Sequence, residues 1–129
     1  MRRFLVLFMV LGFGVSTAAL AATEQHRAVV YFGAWSADID DNASKSIDEA
    51  AQWASAHPQE IINVLGYAST VGSKHANALL ANLRSQVVVD YLTSKGVPAS
   101  RIKMTSKGAT RYLDSPLESR RVEMVMTPK

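Results

Sequence analysis

The chain has 129 residues, a formal net charge of +3 and no cysteine. This length fits one domain, and without cysteine the chain has no disulfide framework, no cysteine-based zinc site and no thiol nucleophile. No run of lysines and arginines is longer than a pair, so the sequence lacks the basic cluster typical of proteins that bind polyanions.

The first 21 residues have the parts of a secretory signal peptide. Two arginines precede an apolar run over residues 4–20, and small residues with an Ala-x-Ala at 19–21 offer a cleavage site. We expect residues 1–21 to be removed on export, which lowers the net charge from +3 to +1. An uncleaved membrane anchor is the alternative, because the apolar run has about the shortest length that spans a bilayer.

Three elements are predicted in the first half of the exported part. Residues 28–33 are rich in β-branched and aromatic side chains and predict a strand. A helix follows, with Asn42 as the expected N-cap and Pro58 just beyond its end. The apolar run EIINVLGY, residues 60–67, is typical of a strand that is buried on both faces.

A second helix is predicted after Gly72, with Gly96 as its left-handed stop. Its buried face is predicted from apolar residues that recur every three or four positions. These residues are Ala76, Leu80, Leu83, Val87 and Tyr91. In this phase Arg84 lies at the margin of the apolar stripe, where it either forms a structural ion pair or binds a carboxylate of a ligand.

Two more strands complete the predicted fold. The segment RIKMTSKG alternates Ile102 and Met104 with polar residues, and RRVEMVMT alternates Val122, Met124 and Met126 with Glu123 and Val125. The three methionines of these strands are expected in the core, and an adaptable contact surface is the alternative. The order β-α-β-α-β-β predicts an α/β fold, an α+β sandwich in which the helices pack on one mixed four-stranded sheet. We expect a parallel first β-α-β unit and an antiparallel final pair of strands.

An acidic segment has the spacing of a calcium-binding loop, but it lacks the glycine that the loop requires. The residues with that spacing are Asp38, Asp40, Asn42, Ser44 and Glu49. Ala43 occupies the glycine position, so we interpret the segment as an acidic helix start and predict no metal.

Neither catalysis nor a cofactor is predicted. His75 lies near Ser69 and Ser73, but no nucleophile-elbow motif surrounds these residues. Glycine-rich phosphate-binding motifs do not occur either.

The segment VLGYASTVGSKHANALLANLRSQVVVDYLTSKGVPASRI resembles the core of the OmpA-like peptidoglycan-binding domain family. The matching positions are Gly66, Tyr67, Gly72, Asn77, Leu80, Arg84, Val87, Tyr91, Leu92, Gly96, Val97 and Ile102. VVYFGAWSADI is similar to the family's first strand and following turn, and ESRRVEMVM is similar to its closing motif. The resemblance covers residues 28–127, and it implies an OmpA-like domain at 28–129 after a short segment at 22–27.

The resemblance also implies a function and a site. Domains of this family hold the stem peptide of peptidoglycan non-covalently at its diaminopimelate residue. A helix arginine pairs with a carboxylate, and the aspartate of a Thr-Asp motif binds the ammonium group. The arginine is Arg84 here, and Asn77, Ser69 and the backbone amides from Thr70 to Gly72 would assist.

This sequence departs from the family at the anionic half of the site, because Ser69 stands where the family has aspartate. Two hypotheses therefore stay open. In the first, the protein binds peptidoglycan through Arg84 in the periplasm, at the cell wall or outer membrane. Binding is then weaker than in the family unless another acid, such as Asp38 or Asp114 in nearby loops, takes the place of the aspartate. Alternatively, it is a degenerate module that contacts proteins in an envelope assembly such as a secretion or motility system. An acid beside Arg84 would favour the second hypothesis, and an unpaired Arg84 in a pocket beside Ser69 would favour the first.

Overall fold

The structure is a computed structural model that describes residues 25–109 and 119–128. The expected signal peptide and Asp114 lie outside the described residues. The elements in chain order are β1 (His26–Tyr31), α1 (Asp41–Ala56), β2 (Glu60–Ala68), α2 (Lys74–Ser94), a short 3-10 helix (Ala99–Arg101), β3 (Ile102–Ala109) and β4 (Arg121–Pro128). The predicted order is confirmed. Within the described ranges, neither helix has the length and apolar character needed to cross a membrane.

The four strands form one mixed sheet in the order β1-β4-β2-β3. β4 is antiparallel to both β1 and β2, and β3 is parallel to β2. β1 and β2 therefore run in the same direction, as predicted, but with β4 between them. The prediction of β3 and β4 as a final pair is wrong, because β2 separates them.

The burial of the two last strands explains their places in the sheet. Residues 122–126 of β4 are all buried, including Glu123, which suits a strand with a neighbour on each side. In contrast, residues 103–107 of β3 are exposed and include Lys103 and Lys107. Such a strand can form a sheet edge, where lysines oppose further pairing.

The hydrophobic core lies between the two helices and one face of the sheet. Its largest apolar members are Val30, Phe32, Ile47, Ile62, Val64, Val88, Leu92, Val122, Met124 and Met126. Met124 and Met126 occupy the core as predicted, whereas Met104 on the edge strand is 39% exposed.

β2 is buried on one face, not on both as predicted. Ile62, Val64, Gly66 and Ala68 are buried, and the residues that alternate with them from 61 to 67 are only partly buried. The reason is that α1 and α2 cover the same side of the sheet, and no other helix of the described residues covers the opposite side. An apolar run in the sequence cannot reveal which arrangement applies.

β1 and the N-cap of α1 each lie two residues before their predicted positions. β1 begins at His26 and ends at Tyr31, because its ladder with β4 runs from His26–Met126 to Tyr31–Arg121. The N-cap of α1 is Asp40, not Asn42, and its Oδ1 accepts a 2.7 Å hydrogen bond from the backbone N–H of Ala43. Asp40 is therefore used to begin a helix.

The buried face of α2 is rotated by one residue from the predicted face. The buried residues are Asn77, Ala81, Arg84, Ser85, Val88 and Leu92. Leu83, predicted to be buried, is 51% exposed, and Arg84 next to it is fully buried. The predicted end of the helix is confirmed, since Gly96 has a φ of +97°.

Close packing of α2 against β2 explains this phase. A Cβ atom placed on Gly66 would collide with Oγ of Ser85 and lie 2.5 Å from the carbonyl oxygen of Ala81. Only small side chains on the helix fit opposite this glycine, so Ala81 and Ser85 face the sheet. The larger Leu83 is turned outward, and the same rotation carries Arg84 inward.

Candidate functional site

The candidate site lies at the end of the sheet where the carboxyl ends of β1 and β2 are found. Residues 33–36 form the turn after β1, and residues 69–73 form the loop between β2 and α2. Because β1 and β2 run in the same direction, these two connections lie at the same end of the sheet. Arg84 of α2 donates to the turn at 33–36 and lines a cavity together with Ser69 and Val71 of the second loop.

Arg84 is fully buried and is held by backbone carbonyl groups. Its Nε donates to the carbonyl oxygen of Ser36 at 2.7 Å, and its Nη2 donates to that of Gly33 at 2.9 Å. The guanidinium carbon also lies 5.3 Å from the centroid of the Phe32 ring. Nη1 is buried and has no hydrogen-bond partner in the described part of the chain. The turn therefore fixes the guanidinium in place but leaves one of its nitrogens unused.

The positive charge of Arg84 is not neutralised by an acid among the described residues, whose ion pairs all involve other side chains. Burial lowers the pKa of Arg84 to about 10, and the neighbouring positive charge of Arg120 contributes to this lowering. The group is still protonated at neutral pH. A buried cation without a counter-ion is unfavourable, so this position attracts an anion.

The loop between β2 and α2 is held by side chains that were predicted to bind a ligand. Asn77 is buried, and its amide nitrogen donates to the carbonyl oxygens of Val71 at 2.8 Å and Ser73 at 3.0 Å. Ser69 Oγ accepts from the backbone N–H of Val71 at 3.0 Å. Ser73 is the N-cap of α2 and accepts from the N–H of Ala76. Both amide protons of Asn77 are thus used to shape the loop.

Trp35 connects the two loops. It lies in the turn after β1 with a φ of 54°, which is unusual for a residue other than glycine. Gly72 in the opposite loop has a φ of +88°, and a Cβ atom there would be 3.3 Å from the indole ring of Trp35. The ring therefore packs on the backbone at Gly72, while the Trp35 residue stays 61% exposed.

These residues enclose a cavity of about 170 Å³. Its lining consists of Ala34, Trp35, Ser69, Val71, Asn77, Leu80, Arg84 and Arg120. The lining combines an apolar wall with two arginines. Such a cavity can accept a small ligand group that has an anionic end and an apolar stem.

Three of the five predicted site residues line this one cavity: Arg84, Asn77 and Ser69. Thr70 and Gly72 belong to the adjacent loop, with Gly72 exposed. Asp38, proposed above as a substitute acid, does not line the cavity. The location of these residues does not test whether they bind a ligand, so the ligand-binding role of each stays a prediction.

Arg120 is a cavity residue that the sequence patterns did not single out. Its Nε donates to the carbonyl oxygen of Phe32 at 3.0 Å, and the N–H of Phe32 donates to the carbonyl oxygen of Arg120 at 2.9 Å. The Arg-Arg pair of the closing motif was the available signal, but only the fold brings its first arginine beside Arg84.

The described residues contain no group of three or more His, Cys, Asp or Glu side chains that could hold a metal ion.

Comparison with known proteins identifies the family. The family model described as the OmpA family matches residues 31–121. A peptidoglycan-associated lipoprotein of Agrobacterium fabrum is 34% identical in an alignment of 103 residues that covers 76% of this chain and 58% of that protein. Outer membrane protein A of Serratia odorifera is 35% identical in an alignment of 89 residues that covers 67% of this chain and 37% of that protein.

A solved structure shows the same fold. The peptidoglycan-associated lipoprotein of Burkholderia pseudomallei superposes with a TM-score of 0.70 at 24% identity, over 78% of this chain and 90% of that chain. The chain spans about half the length of the curated relatives it matches. The family match includes both loops and all the cavity residues. This chain therefore belongs to the OmpA family.

Proposed function

We propose that this protein binds peptidoglycan non-covalently in the cell envelope, with the cavity at Arg84 receiving a carboxylate of the stem peptide. The family supports this proposal, since relatives carry the name peptidoglycan-associated lipoprotein. The resemblance in sequence implies that the carboxylate belongs to diaminopimelate. A function of this kind is that of a binding module and not of an enzyme.

One observation carries the proposal: Arg84 is a fully buried cation with an unused nitrogen at a cavity. A structural arginine of similar burial would normally have a carboxylate partner or use all of its donors. A carboxylate that entered the cavity would neutralise the charge and accept from Nη1. A charge-assisted hydrogen bond of this type contributes about 1.5–3 kcal/mol, or one to two decades of affinity.

Access to Arg84 requires some movement of the cavity wall. The residue has no exposed surface, so a ligand reaches Nη1 only by displacing part of the lining. Trp35 is a strongly exposed residue of this lining. Its ring is held by contact with the backbone at Gly72 and not by a hydrogen bond in the described residues.

The proposal places the protein in the periplasm, at the cell wall or outer membrane. Relatives named outer membrane protein A support this location. Residues 1–21 would direct export as a signal peptide, since a charged start, an apolar run and small residues follow one another there.

Co-sedimentation with purified diaminopimelate-type sacculi tests the proposal. We expect the wild-type protein to sediment and Arg84→Met, which keeps much of the side-chain length but removes the charge, to bind about tenfold or more weakly. Arg101→Met is the matched control, because Arg101 also donates to backbone carbonyls but lies away from the cavity. Circular dichroism checks that both variants are folded. Equal binding of the wild type and Arg84→Met would contradict the proposal.

A second candidate function has one observation in its favour, the exposed apolar residues of the cavity lining. Trp35 and Val71 are each more than half exposed, and aromatic residues are enriched where proteins contact each other. In this alternative the domain contacts another protein of an envelope assembly, and its cavity is unused. The same assay distinguishes the two functions, because the alternative expects the wild type to stay in solution while Ser69→Asp sediments.

A further inference from the structure

The charges around the cavity are all of one sign among the described residues. Arg84 and Arg120 line it, and no lining residue is an acid. Arg84 has no exposed surface and its Nη1 has no partner. The two arginines are close enough that Arg120 lowers the pKa of Arg84. A cavity of this kind favours an anion and disfavours a second positive charge on the ligand.

The cavity offers an ammonium group only neutral acceptors. One lone pair of Ser69 Oγ is used by the N–H of Val71, and Asn77 contributes a side-chain carbonyl oxygen. Hydrogen bonds to ionised groups are roughly twice as strong as neutral ones, so these atoms replace a carboxylate poorly. The hydroxyl group of Ser69 also has a proton that can be donated to a carboxylate or to the carbonyl oxygen of an amide.

Arg120 is positioned to act as the second cation of the site. Its Nε is anchored on the carbonyl oxygen of Phe32, the residue whose ring lies beside the Arg84 guanidinium. No ion pair joins Arg120 to an acid in the part of the chain that the structure describes. Both arginines are therefore held by residues at or just after the end of β1, and both line the cavity that an anion would enter once part of the wall moves.

We propose that the cavity recognises a carboxylate through Arg84 and Arg120 and does not require a free ammonium group beside it. This inference rests on the proposed function and specifies its ligand. The amine next to the bound carboxylate can be free or acylated. The protein would thus bind stem peptides whose amine is blocked by an amide, as at a cross-link between two stems, as well as those whose amine is free.

Isothermal titration calorimetry with three stem peptides tests the inference. The first peptide contains diaminopimelate with a free side-chain amine, the second has this amine acetylated, and in the third the adjacent carboxylate is amidated. We expect acetylation to change the Kd by less than about threefold, because no acid of the described lining binds the ammonium. We expect amidation to weaken binding by about tenfold or more, since it removes the anion.

Two variants sharpen the test. Arg120→Gln should weaken binding of the free and the acetylated peptide equally, by roughly fivefold or more, because it removes one of the two cations. Arg101→Gln is the matched control and should leave both affinities unchanged. Ser69→Asp adds an acid to the cavity and should create a preference of about fivefold or more for the free amine. This change of selectivity cannot arise from loss of folding.

The outcomes separate this inference from the proposed function. If the free-amine peptide binds and the acetylated one is weaker by about tenfold or more, the protein binds the stem peptide but the inference is wrong. If neither peptide binds and sacculi do not retain the protein, both are wrong. If both peptides bind equally but Arg120→Gln has no effect, the role assigned to Arg120 is overturned.

Discussion

Two arginines at opposite ends of β2 make similar contacts, but only Arg84 has a buried nitrogen without a hydrogen-bond partner among the described residues. Arg84 lies at the carboxyl end of the strand and donates two hydrogen bonds to the carbonyl oxygens of Ser36 and Gly33. Arg101 lies at the amino end and donates to the carbonyl oxygens of Glu60 at 3.0 Å, Ala54 at 2.9 Å and His57 at 2.8 Å. Both arginines tie distant segments of the chain together.

The surroundings of Arg101 indicate a structural role. Its acceptors include the end of α1, where the helix has unpaired carbonyl groups and a partial negative charge. The same end of α1 is closed by Trp53, which donates to Glu60 at 2.7 Å and stacks between His26 and His57. A cation is therefore stabilised there by the fold itself.

Arg84 lacks these compensations. Its two acceptors belong to a turn and not to a helix end, its Nη1 has no partner among the described residues, and the nearby charge is that of Arg120. Contacts to backbone carbonyls therefore do not by themselves assign a role to an arginine. The unused donor and the adjacent cavity distinguish a binding residue from a structural one.

The largest expected effect is that of Arg84→Ala. It should lower the free energy of unfolding by about 3 kcal/mol or more, because it removes two charge-assisted hydrogen bonds and leaves a void in the core. Urea unfolding followed by circular dichroism measures this change. A loss below about 1 kcal/mol would mean that the turn at 33–36 does not depend on Arg84.

Arg101→Ala should have a somewhat smaller effect on stability and none on binding. We expect it to lower the free energy of unfolding by about 1.5–3 kcal/mol, since it deprives the end of α1 of charge-assisted bonds. Retention on sacculi, measured well below the midpoint of unfolding, should equal that of the wild type. A loss of binding in this variant would break the distinction between the two arginines.

Asp40→Ala tests a structural acid in the loop that follows the turn at 33–36. Removing the N-cap of α1 should lower the free energy of unfolding by about 1 kcal/mol, as measured by urea unfolding. Binding of a carboxylate should not change, because Asp40 accepts from Ala43 and does not line the cavity. Weaker binding would show that the acidic segment contributes to the site.

The smallest expected effect is that of pH on carboxylate binding. Because the pKa of Arg84 is about 10, the cation persists at lower pH, and a carboxylate is ionised above about pH 5. The affinity for the acetylated stem peptide should therefore vary by less than about twofold between about pH 6 and 8.5. Calorimetry across this range tests the expectation, and a steep dependence would indicate that another group titrates at the site.

Above about pH 10, deprotonation of Arg84 should change the affinity for an anion and the free energy of unfolding in opposite directions. Its pKa is lower in the folded protein than its ordinary value, so the unfolded chain holds the proton more tightly. The contribution of Arg84 to stability therefore rises as the pH increases above about 10. Binding of an anion falls over the same range, because the cation is lost.

Much of the fold could be predicted from local patterns in the sequence. The order of strands and helices, the end of α2 at Gly96 and the burial of Met124 and Met126 are confirmed. Each of these depends on neighbouring residues, through alternation or turn chemistry. The retained motif residues likewise indicate Arg84 as a candidate binding residue, because the arginine keeps its spacing from Gly72 and Asn77 along the chain.

The position of β4 and the phase of α2 were decided by tertiary structure alone. A strand sequence does not state its neighbours, and β4 lies between β1 and β2 because its residues 122–126 can all be buried. The spacing of apolar residues predicts Leu83 in the core and Arg84 at its margin. The close approach of α2 to Gly66 selected the face with small residues instead. The arginine on this helix could thus be predicted from local patterns, whereas its burial beside Arg120 at a cavity depends on packing between distant segments.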